Sequence, residues 1–363
     1  MRITVVGGGN IGTQFAVHCA EKGHEVAIFT SDPELFCKQL KIVDETGKIT
    51  HCGDIGFATN DPEKAFRNAD LILITFPSTM MRYISDIIFE HSDKSARIGV
   101  VPGNGGSECA FRKCIERGNV FFGIERVPAI ARLIKKGEIV RSNGYRDELH
   151  VSSIPIGNVE QCCKIIGEIF DMPCKVIPNF LNLTMTPSNP ILHTTRLRTL
   201  FKDWKPGVVY DSVPLFYEEW DDESSELLFA CDDEVQEICK ALPEFKLCCV
   251  KSLRVHYDSY TVEAMTKKIS GIPAFKGLTT PTISVNGKLI PDLHSRYFTA
   301  DFSYGLSIIQ QIGKIAQVET PNIDETMKWY KNIAVETEEF RFSDYGINDK
   351  ESLEEFYLKI GNG

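Results

Sequence analysis

The 363-residue chain lacks the features that mark membrane proteins, secreted proteins and nucleic-acid-binding proteins. No apolar run approaches the ~18 residues needed to cross a bilayer, and the N-terminus has neither the basic region nor the cleavage site of a secretory signal. No stretch is rich in Lys or Arg, and the net charge is −10, which argues against nucleic acid or an anionic membrane as a partner. We therefore expect a cytoplasmic protein whose partners are small molecules, with its oligomeric state left open.

Cysteines with metal-binding spacing are also missing. The twelve cysteines are scattered along the chain, with no C-x-x-C pair and no Cys/His cluster at zinc spacing. A disulfide framework is typical of short secreted chains, and this chain is long and has no signal peptide. The sequence therefore predicts free thiols and no metal site.

What the N-terminus does have is a glycine motif. Residues 2–12 join a short apolar strand to an amphipathic helix through glycines spaced G-x-G-x-x-G. Gly7 allows a tight turn, Gly9 lets the backbone approach a pyrophosphate, and Gly12 lets helix and strand pack closely, while the free N–H groups of the helix start face the anion. The strand context predicts a bound nicotinamide dinucleotide. The predicted cofactor-binding residues of this turn are Gly7, Gly9, Asn10, Ile11 and Gly12.

Along the first half of the chain, apolar β-like runs alternate with helical stretches. The runs are rich in Val, Ile, Leu and Phe without polar alternation, as expected of strands buried on both faces. The pattern predicts an α/β fold that begins with a Rossmann-type parallel sheet over residues 1–178. The expected strands are Ile3–Val6, Glu25–Phe29, Leu71–Thr75, Ile98–Val101, Val120–Ile124, Leu149–Ile154 and Lys175–Ile177, with a helix over Val159–Phe170 and a small hairpin within Lys41–Thr59.

Beyond residue 178 the pattern is helical. Because 363 residues exceed the ~250–300 at which one core stops growing, a second domain is expected over residues 179–363, mostly α-helical and forming a cleft with the first. The predicted helices are Ile191–Phe201, Glu223–Leu242, Tyr260–Ile269, Phe302–Ala316, Ile323–Val335 and Glu351–Lys359.

The end of the second strand favours NADP over NAD. NAD-binding Rossmann domains usually place a carboxylate there for the ribose 2′-hydroxyl, whereas this strand ends in Thr30-Ser31. Two hydroxyls can donate to a 2′-phosphate. Asp32 lies nearby and leaves NAD open, and Ser31-Asp32-Pro33 also fits the N-cap of a following helix.

Two further strand ends carry loops on the ligand side of a parallel sheet. Phe76-Pro77 follows the strand Leu71–Thr75, and the glycine-rich segment around Asn104 follows Ile98–Val101. Ligands bind beyond the carboxyl ends of such strands, so we predict cofactor contacts from Phe76, Pro77 and Asn104, although turn chemistry alone also accounts for each loop.

A histidine near the start of a second-domain helix is the candidate acid/base. Ser188 or Asn189 can cap this helix, which places His193 in its first turn, where the helix dipole disfavours imidazolium by ~0.3–1 kcal/mol. A catalytic histidine there would need a carboxylate, and Asp301 is the candidate, with Arg296 just upstream. Spacing alone leaves open a structural His193 and an Asp301 that only caps a helix.

These motifs, in this order, resemble the opine dehydrogenases, the octopine and nopaline dehydrogenase group. The resemblance covers nearly the whole chain. The glycine motif is shared with many enzymes, whereas N-P-x-x-H combined with R-x4-D is far more particular. The motifs are GGGNIG (7–12), ITFPS (74–78), VPGNGG (101–106), ERVPAIAR (125–132), NPILH (189–193) and RYFTAD (296–301), with Gly305 following.

The resemblance implies an NAD(P)-dependent enzyme that reductively condenses the amine of an amino acid with a 2-oxo acid. His193 would be the acid/base, Asp301 would hold it protonated and oriented, and the planar fork of Arg296 would bind the oxo-acid carboxylate. Glu125 would hold the amino substrate, and Asn189 would also contact substrate.

Other functions compete with this hypothesis. Ketopantoate reductases and glycerol-3-phosphate dehydrogenases share a Rossmann domain followed by helices, but they rely on a helical lysine, and residues 181–201 contain none. A non-catalytic dinucleotide sensor would need the cradle without an acid/base. For Glu125, an ion pair with Arg126 or Arg132 is the alternative to a substrate contact.

Overall fold

The computed structural model describes residues 1–186, 188–334 and 338–360 and forms two compact units. The first unit comprises Met1–Leu183 together with the segment from Leu353 onward, and the second comprises Thr184–Ser352. The predicted edge at residue 178 lies a few residues before this division. The final segment groups with the first unit, whereas the sequence assigned it to the second domain.

An eight-stranded sheet forms the centre of the first unit, in the order β12-β11-β8-β7-β6-β1-β2-β5. All neighbours pair in parallel except β8 and β11, which are antiparallel. Strands such as β6 and β8 are buried along their whole length, which explains their unbroken apolar sequences. The predicted α/β fold class is confirmed. The strands are β1 (Arg2–Val6), β2 (Glu25–Phe29), β5 (Phe57–Thr59), β6 (Leu71–Ile74), β7 (Arg97–Val100), β8 (Phe121–Ile124), β11 (Leu149–Ile154) and β12 (Cys174–Val176).

A second sheet of four strands packs on the first helix, in the order β4-β3-β10-β9. The predicted hairpin within Lys41–Thr59 is its β3–β4 pair, but Phe57–Thr59 instead joins the main sheet beside β2. The sequence did not predict β9 and β10, because their exposed and buried residues follow a short, irregular alternation. These strands are β3 (Gln39–Val43), β4 (Ile49–Asp54), β9 (Ile130–Lys135) and β10 (Ile139–Asn143).

Helices cover the main sheet of the first unit. Its principal core contains apolar residues of α1 and α6 packed with the strand side chains, including Phe15 against Phe170 with ring centroids 4.7 Å apart. The helices are α1 (Asn10–Glu21), α2 (Pro62–Phe66), α3 (Met81–His91), α4 (Ser107–Ala110), α5 (Arg112–Arg117), α6 (Val159–Phe170) and α7 (Leu181–Thr184).

The second unit is mainly helical, as predicted, with one small hairpin, β13 (Thr282–Val285) and β14 (Lys288–Pro291), that was not predicted. The helix predicted at Phe302–Ala316 begins with a π-helical turn, Phe302–Leu306. Val335 and Glu336, where one predicted helix ends and the tail begins, lie outside the described residues. Its helices are α8 (Pro190–Leu200), α9 (Asp222–Ala241), α10 (Leu253–Tyr257), α11 (Val262–Gly271), α12 (Arg296–Thr299), α13 (Ser307–Ile315) and α14 (Pro321–Ile333). A further helix, α15 (Lys350–Glu354), begins in the second unit and continues in the first as a π turn over Glu355–Lys359.

None of the helices among the described residues has the length and apolar character that a membrane span requires.

Candidate active site

The glycine cradle between β1 and α1 has three distinct glycine environments. Gly7 has φ +103°, a conformation that favours glycine. A Cβ on Gly12 would lie 1.8 Å from the carbonyl oxygen of Gly7, so only glycine lets the helix approach the strand. A Cβ on Gly9 would meet nothing within 4 Å, because this glycine faces open space. The cradle therefore leaves room for a ligand on the side of Gly9.

The start of α1 suits an anion. Its first turn contains no acidic residue and no side chain caps it, so the unpaired backbone N–H groups of the first turn can bind a pyrophosphate. The side chain of Asn10 points elsewhere: its Oδ1 accepts a hydrogen bond of 2.7 Å from the N–H of Leu133 in β9. Asn10 and Ile11 can thus contribute backbone groups. These residues fit the pyrophosphate of a dinucleotide.

The loop after β2 contacts a lysine of the β9–β10 turn, Lys136, that the sequence did not single out. The exposed Ser31 hydroxyl donates to Asp32 over 2.8 Å, and Lys136 forms an ion pair with the same carboxylate. These two hydrogen bonds lower the pKa of Asp32. Thr30 is buried, so its hydroxyl is less available than predicted. Asp32 lies at the N-cap position of a 3-10 turn that begins at Pro33, as the alternative interpretation expected, but its side chain makes no capping bond.

Lys136 reaches this position because its turn packs closely on the loop. A Cβ on Gly137 would lie 2.1 Å from the carbonyl oxygen of Leu35, and the Gly137 carbonyl accepts a hydrogen bond from Cys37. With φ +72°, Gly137 also adopts the left-handed conformation that turns β9 back into β10. The turn therefore fixes an ammonium group beside the loop that follows β2.

The two further loops lie at the carboxyl ends of their strands, as predicted. The ring of Phe76 lies 3.2 Å from where a Cβ of Gly7 would be, and so borders the cradle directly. Pro77 and Asn104 are both partly exposed. Gly105 and Gly106 both have φ +69°, so this loop needs glycine for its path. Phe76, Pro77 and Asn104 are therefore accessible, and their contacts with a cofactor stay a prediction.

In the second unit, His193 and Asp301 form a hydrogen bond. The distance from Nδ1 to Oδ2 is 2.7 Å, and the imidazole is 6% exposed. Because an ionised carboxylate only accepts, Nδ1 carries the proton, and a protonated imidazole is stabilised by the adjacent charge. Asp301 makes no capping bond to the helix turn that follows it, so the alternative of an ordinary helix cap is wrong.

The π-helical turn Phe302–Leu306 helps to position Asp301 for its hydrogen bond with His193. It follows Asp301 directly and brings Gly305 against the start of α8, where a Cβ would lie 2.9 Å from Cγ of Pro190. The absence of a side chain on Gly305 thus lets the two elements approach. Such wide turns occur frequently at functional sites.

The other imidazole nitrogen is also occupied. Nε2 of His193 lies 2.7 Å from the hydroxyl of Tyr217, which is 4% exposed. The ring of Tyr217 stacks on Phe275 with a centroid distance of 4.1 Å, and Tyr297 packs edge-on against the imidazole at 4.6 Å. His193 is thus held between a carboxylate and a phenol.

A buried arginine fixes the loop that carries Tyr217. Arg196, one turn after His193 in α8, is fully buried and donates to the backbone carbonyls of Leu215, Phe216 and Glu219. It also pairs with Asp221 over 2.8 Å. One helix therefore positions the histidine and, through Arg196, the tyrosine that bonds it.

Arg296 and Asn189, the predicted substrate-binding residues of the second unit, are both exposed. The guanidinium of Arg296, in α12, is exposed and makes no ion pair with any described residue. It is therefore available to bind a carboxylate. Asn189 is exposed and its carbonyl accepts from the N–H of His193 over 3.0 Å. The predicted capping of α8 by the Asn189 side chain is wrong, because its backbone is already helical and no side-chain bond forms.

Glu125, in the first unit, is engaged in a charge network. His150 donates from Nδ1 to Glu125 over 2.8 Å and from Nε2 to Glu148 over 3.0 Å, and Arg126 lies 3.8 Å from the Glu125 carboxylate. Burial raises the pKa of Glu125, but the bond from His150 and the charge of Arg126 outweigh it, so that the net pKa is lowered. The hydrogen bond that His150 donates to Glu125 raises the pKa of His150. The alternative ion pair between Glu125 and Arg126 is therefore present, and the contact of Glu125 with His150 is shorter.

Comparison with known proteins shows similarity to dehydrogenases in both halves of the chain. The family described as NAD/NADP octopine/nopaline dehydrogenase, alpha-helical domain, matches residues 176–334. The N-terminus of NAD-dependent glycerol-3-phosphate dehydrogenase matches residues 2–101 only, the part that holds the dinucleotide cradle. Tauropine dehydrogenase from Arabella iricolor is 24% identical and covers 91% of both chains. Over residues 176–334 the chain therefore matches the octopine/nopaline dehydrogenase family.

Two further similarities extend over nearly the whole chain. The opine dehydrogenase of Arthrobacter sp. (strain 1C) is 25% identical, covering 89% of this chain and 88% of its own. An octopine dehydrogenase solved with NADH and L-arginine has the same fold, with a TM-score of 0.80 at 23% identity and coverage of 91% and 89%. The resemblance inferred from the sequence motifs is therefore confirmed.

The protein also contains one group of side chains with metal-binding chemistry among its described residues. His18, Glu21 and His51 have ligand atoms within 4.8 Å of one another. Each already has a protein partner: His18 lies 3.0 Å from the hydroxyl of Tyr145, and His51 lies 2.7 Å from Glu21. Burial lowers the pKa of His18 to about 3, which keeps it neutral. Hydrogen bonds within the protein therefore account for this cluster.

Sequence reasoning missed Lys136 and Tyr217. No motif in the sequence marks Lys136, in a charged turn, or Tyr217, in an aromatic segment, as functional. Both acquire a role only through partners far away in the sequence. For Tyr217, the available clue was Arg196, three residues after His193 in a buried helix, because a buried arginine needs partners.

Proposed function

We propose that this protein is an NAD(P)-dependent opine dehydrogenase that joins the amine of an amino acid to a 2-oxo acid. The observation that carries the proposal is the hydrogen bond between His193 and Asp301, together with the unpaired Arg296 on the helix just before Asp301. A tautomer-fixed imidazole beside a carboxylate-binding group is what condensation with an oxo acid requires. The glycine cradle supports the dinucleotide.

The proposed reaction consumes one proton for each turnover. The amine adds to the oxo carbon, the oxygen leaves as water after protonation, and an imine forms. The glycine cradle would hold the reduced nicotinamide dinucleotide, which would supply the hydride that reduces the imine. Amine, oxo acid, reduced cofactor and one proton thus give secondary amine, water and oxidised cofactor. His193 holds and delivers the proton, and Asp301 stabilises the imidazolium against the positive end of the helix dipole.

The direct test is product identification. The protein is incubated with NADPH or NADH, pyruvate and pooled amino acids, the loss of nicotinamide absorbance is followed, and the product mass is determined. A mass equal to amine plus oxo acid less one oxygen atom is expected. A simple 2-hydroxy acid would instead identify a keto-acid reductase and overturn the proposal.

We propose that Arg296 binds the oxo-acid carboxylate through two parallel hydrogen bonds. Arg296→Lys keeps the charge but loses the planar fork, so the KM for pyruvate should rise at least about 10-fold, the loss of ~1.4 kcal/mol of binding. Steady-state kinetics with pyruvate varied at saturating amine measures the change. Arg341→Lys, at an exposed arginine of the same unit, is the matched control. An unchanged KM in Arg296→Lys would remove Arg296 from the substrate site.

For the cofactor, we propose that NADP is preferred and that Lys136 and Ser31 bind its 2′-phosphate. Lys136 is anchored by the Gly137 turn and its ammonium sits beside the exposed Ser31 hydroxyl through the shared partner Asp32. A phosphate placed there would gain a positive charge and a donor. Asp32 remains close enough to accept from a ribose hydroxyl, so NADH should still bind, more weakly.

Lys136→Gln should raise the KM for NADPH about 10-fold and leave the KM for NADH nearly unchanged, because only the phosphorylated ribose loses a charge-assisted bond of ~1.5–3 kcal/mol. Kinetics with both cofactors on the wild type and the variant measures the ratio. Lys135→Gln, at the neighbouring exposed lysine that pairs with Glu138, is the control. A wild type that strongly prefers NADH would contradict the NADP proposal whatever the variant does.

A further inference from the structure

We propose that Tyr217 carries the proton between His193 and the substrate, and that Tyr297 forms the outer end of this relay. The inference rests on the proposed function and adds to it two residues that donate and accept protons. Its basis is the occupied Nε2 of His193: with Asp301 on one nitrogen and the Tyr217 hydroxyl on the other, both 2.7 Å away, the imidazole has no free polar atom to offer a substrate.

Displacing Tyr217 to expose the imidazole would be costly. The phenol ring is stacked on Phe275 and packed edge-on against Phe216, with centroids 4.1 and 4.7 Å away. The backbone on either side is held by the buried Arg196, whose guanidinium bonds three carbonyls of this loop. Tyr217 is 4% exposed and held by these contacts. We therefore expect it to stay in place and transfer a proton rather than to move away from His193.

The direction of each hydrogen bond follows from the donors available. With Nδ1–H given to Asp301, a neutral His193 accepts at Nε2 and the Tyr217 hydroxyl donates. Once the imidazole is protonated, Nε2–H donates to the phenol oxygen, and the phenol proton becomes free to move outward. Discharge is then a paired transfer: Nε2–H passes to the Tyr217 oxygen while the original phenol proton leaves for the next acceptor. No phenolate is formed and charge is conserved.

Tyr297 is the next group along this path. It interacts with the Tyr217 phenol, packs on the His193 ring and is only partly buried. It also neighbours Arg296 in α12, with the guanidinium carbon 5.6 Å from its ring centroid. A proton leaving Tyr297 thus emerges beside the group proposed to hold the oxo acid, where the departing oxygen must become water.

The surroundings keep Tyr217 protonated. Burial first, and then the neighbouring Tyr297, raise the pKa of Tyr217 well above its usual range. The Tyr217 hydroxyl therefore keeps its proton at neutral pH. This is what a relay requires of its middle member.

The test removes the hydroxyl and keeps the ring. Tyr217→Phe should lower kcat about 100-fold, within the range of general acid–base effects, with unchanged dinucleotide affinity by fluorescence titration. The kcat of the wild type in mixtures of H2O and D2O should follow a curved dependence on deuterium fraction, because more than one proton moves; residual turnover in Tyr217→Phe should show a linear one. Tyr260→Phe, at a tyrosine 61% exposed in the same unit, is the control and should match the wild type.

A second variant, Tyr297→Phe, interrupts the path one step further out and should show the same loss of curvature. Wild-type kcat in Tyr217→Phe, or a lowered kcat with the curved isotope dependence retained in both variants, would overturn the relay and leave a packing role only. Failure of the proposed function would be seen separately, as a wild type whose cofactor oxidation does not depend on both amine and oxo acid, and it would overturn the relay as well.

Discussion

His193→Ala is expected to lower kcat by about 10³-fold or more while leaving dinucleotide affinity unchanged. The variant removes the group that holds the transferred proton and leaves the Asp301 carboxylate and the Tyr217 phenol without their shared partner, and general acid–base groups contribute about 10²–10⁴-fold. Stopped-flow single-turnover oxidation of NAD(P)H measures the chemical step, and fluorescence titration of the cofactor measures binding.

Two companion variants sharpen this result. Asp301→Asn preserves shape but replaces the anion with an amide, so it should lower kcat by a comparable factor because the imidazolium loses its counter-charge. His256→Ala, at an exposed histidine of the second unit, should retain full activity. Turnover of His193→Ala at the wild-type rate would refute the assignment of the acid/base.

Gly12→Ala should abolish dinucleotide binding and destabilise the fold, whereas Gly9→Ala should abolish binding alone. A Cβ added at Gly12 would lie 1.8 Å from a backbone oxygen, which cannot rotate away, so the free energy of unfolding should fall by about 1–3 kcal/mol or more. At Gly9, φ is −85° and nothing lies within 4 Å, so a methyl group fits the free protein and obstructs only a ligand.

Urea unfolding and cofactor titration separate the two effects. Gly9→Ala should unfold within about 0.5 kcal/mol of the wild type, as expected for a change that touches no neighbour, and should bind cofactor at least about 10-fold more weakly. Equal stability losses in both variants would show that Gly9 is structural. Retained affinity in Gly9→Ala would place the pyrophosphate elsewhere.

Much of the fold could be predicted from local sequence patterns. Strands buried on both faces produce unbroken apolar runs, and the glycine motif requires a strand before it and a helix after it, so β1, α1 and most strands of the main sheet were predictable. The strands β9 and β10 were not, because the pairing of β10 with β3 depends on contacts across about a hundred residues and leaves little periodicity in either sequence.

The residues of the candidate site likewise include some that local motifs predicted and some that they did not. The motifs around His193 and Asp301 are local and specific enough to suggest a pair 108 residues apart, which the structure places in hydrogen-bond contact. Tyr217 and Lys136 could not be found similarly, since each is defined by the buried arginine or the glycine turn that positions it. The cap expected from Asn189 failed because the backbone entered the helix one residue earlier than the proline suggested.

The last segment of the chain completes the first unit. Tyr357 donates its hydroxyl to the fully buried Glu108, directly after the Gly103–Gly106 loop, and its carbonyl accepts from Asn179. The first unit therefore lacks part of its interior until the residues from Leu353 onward have been synthesised. Folding of the first unit therefore depends on a segment that follows the entire second unit in the sequence.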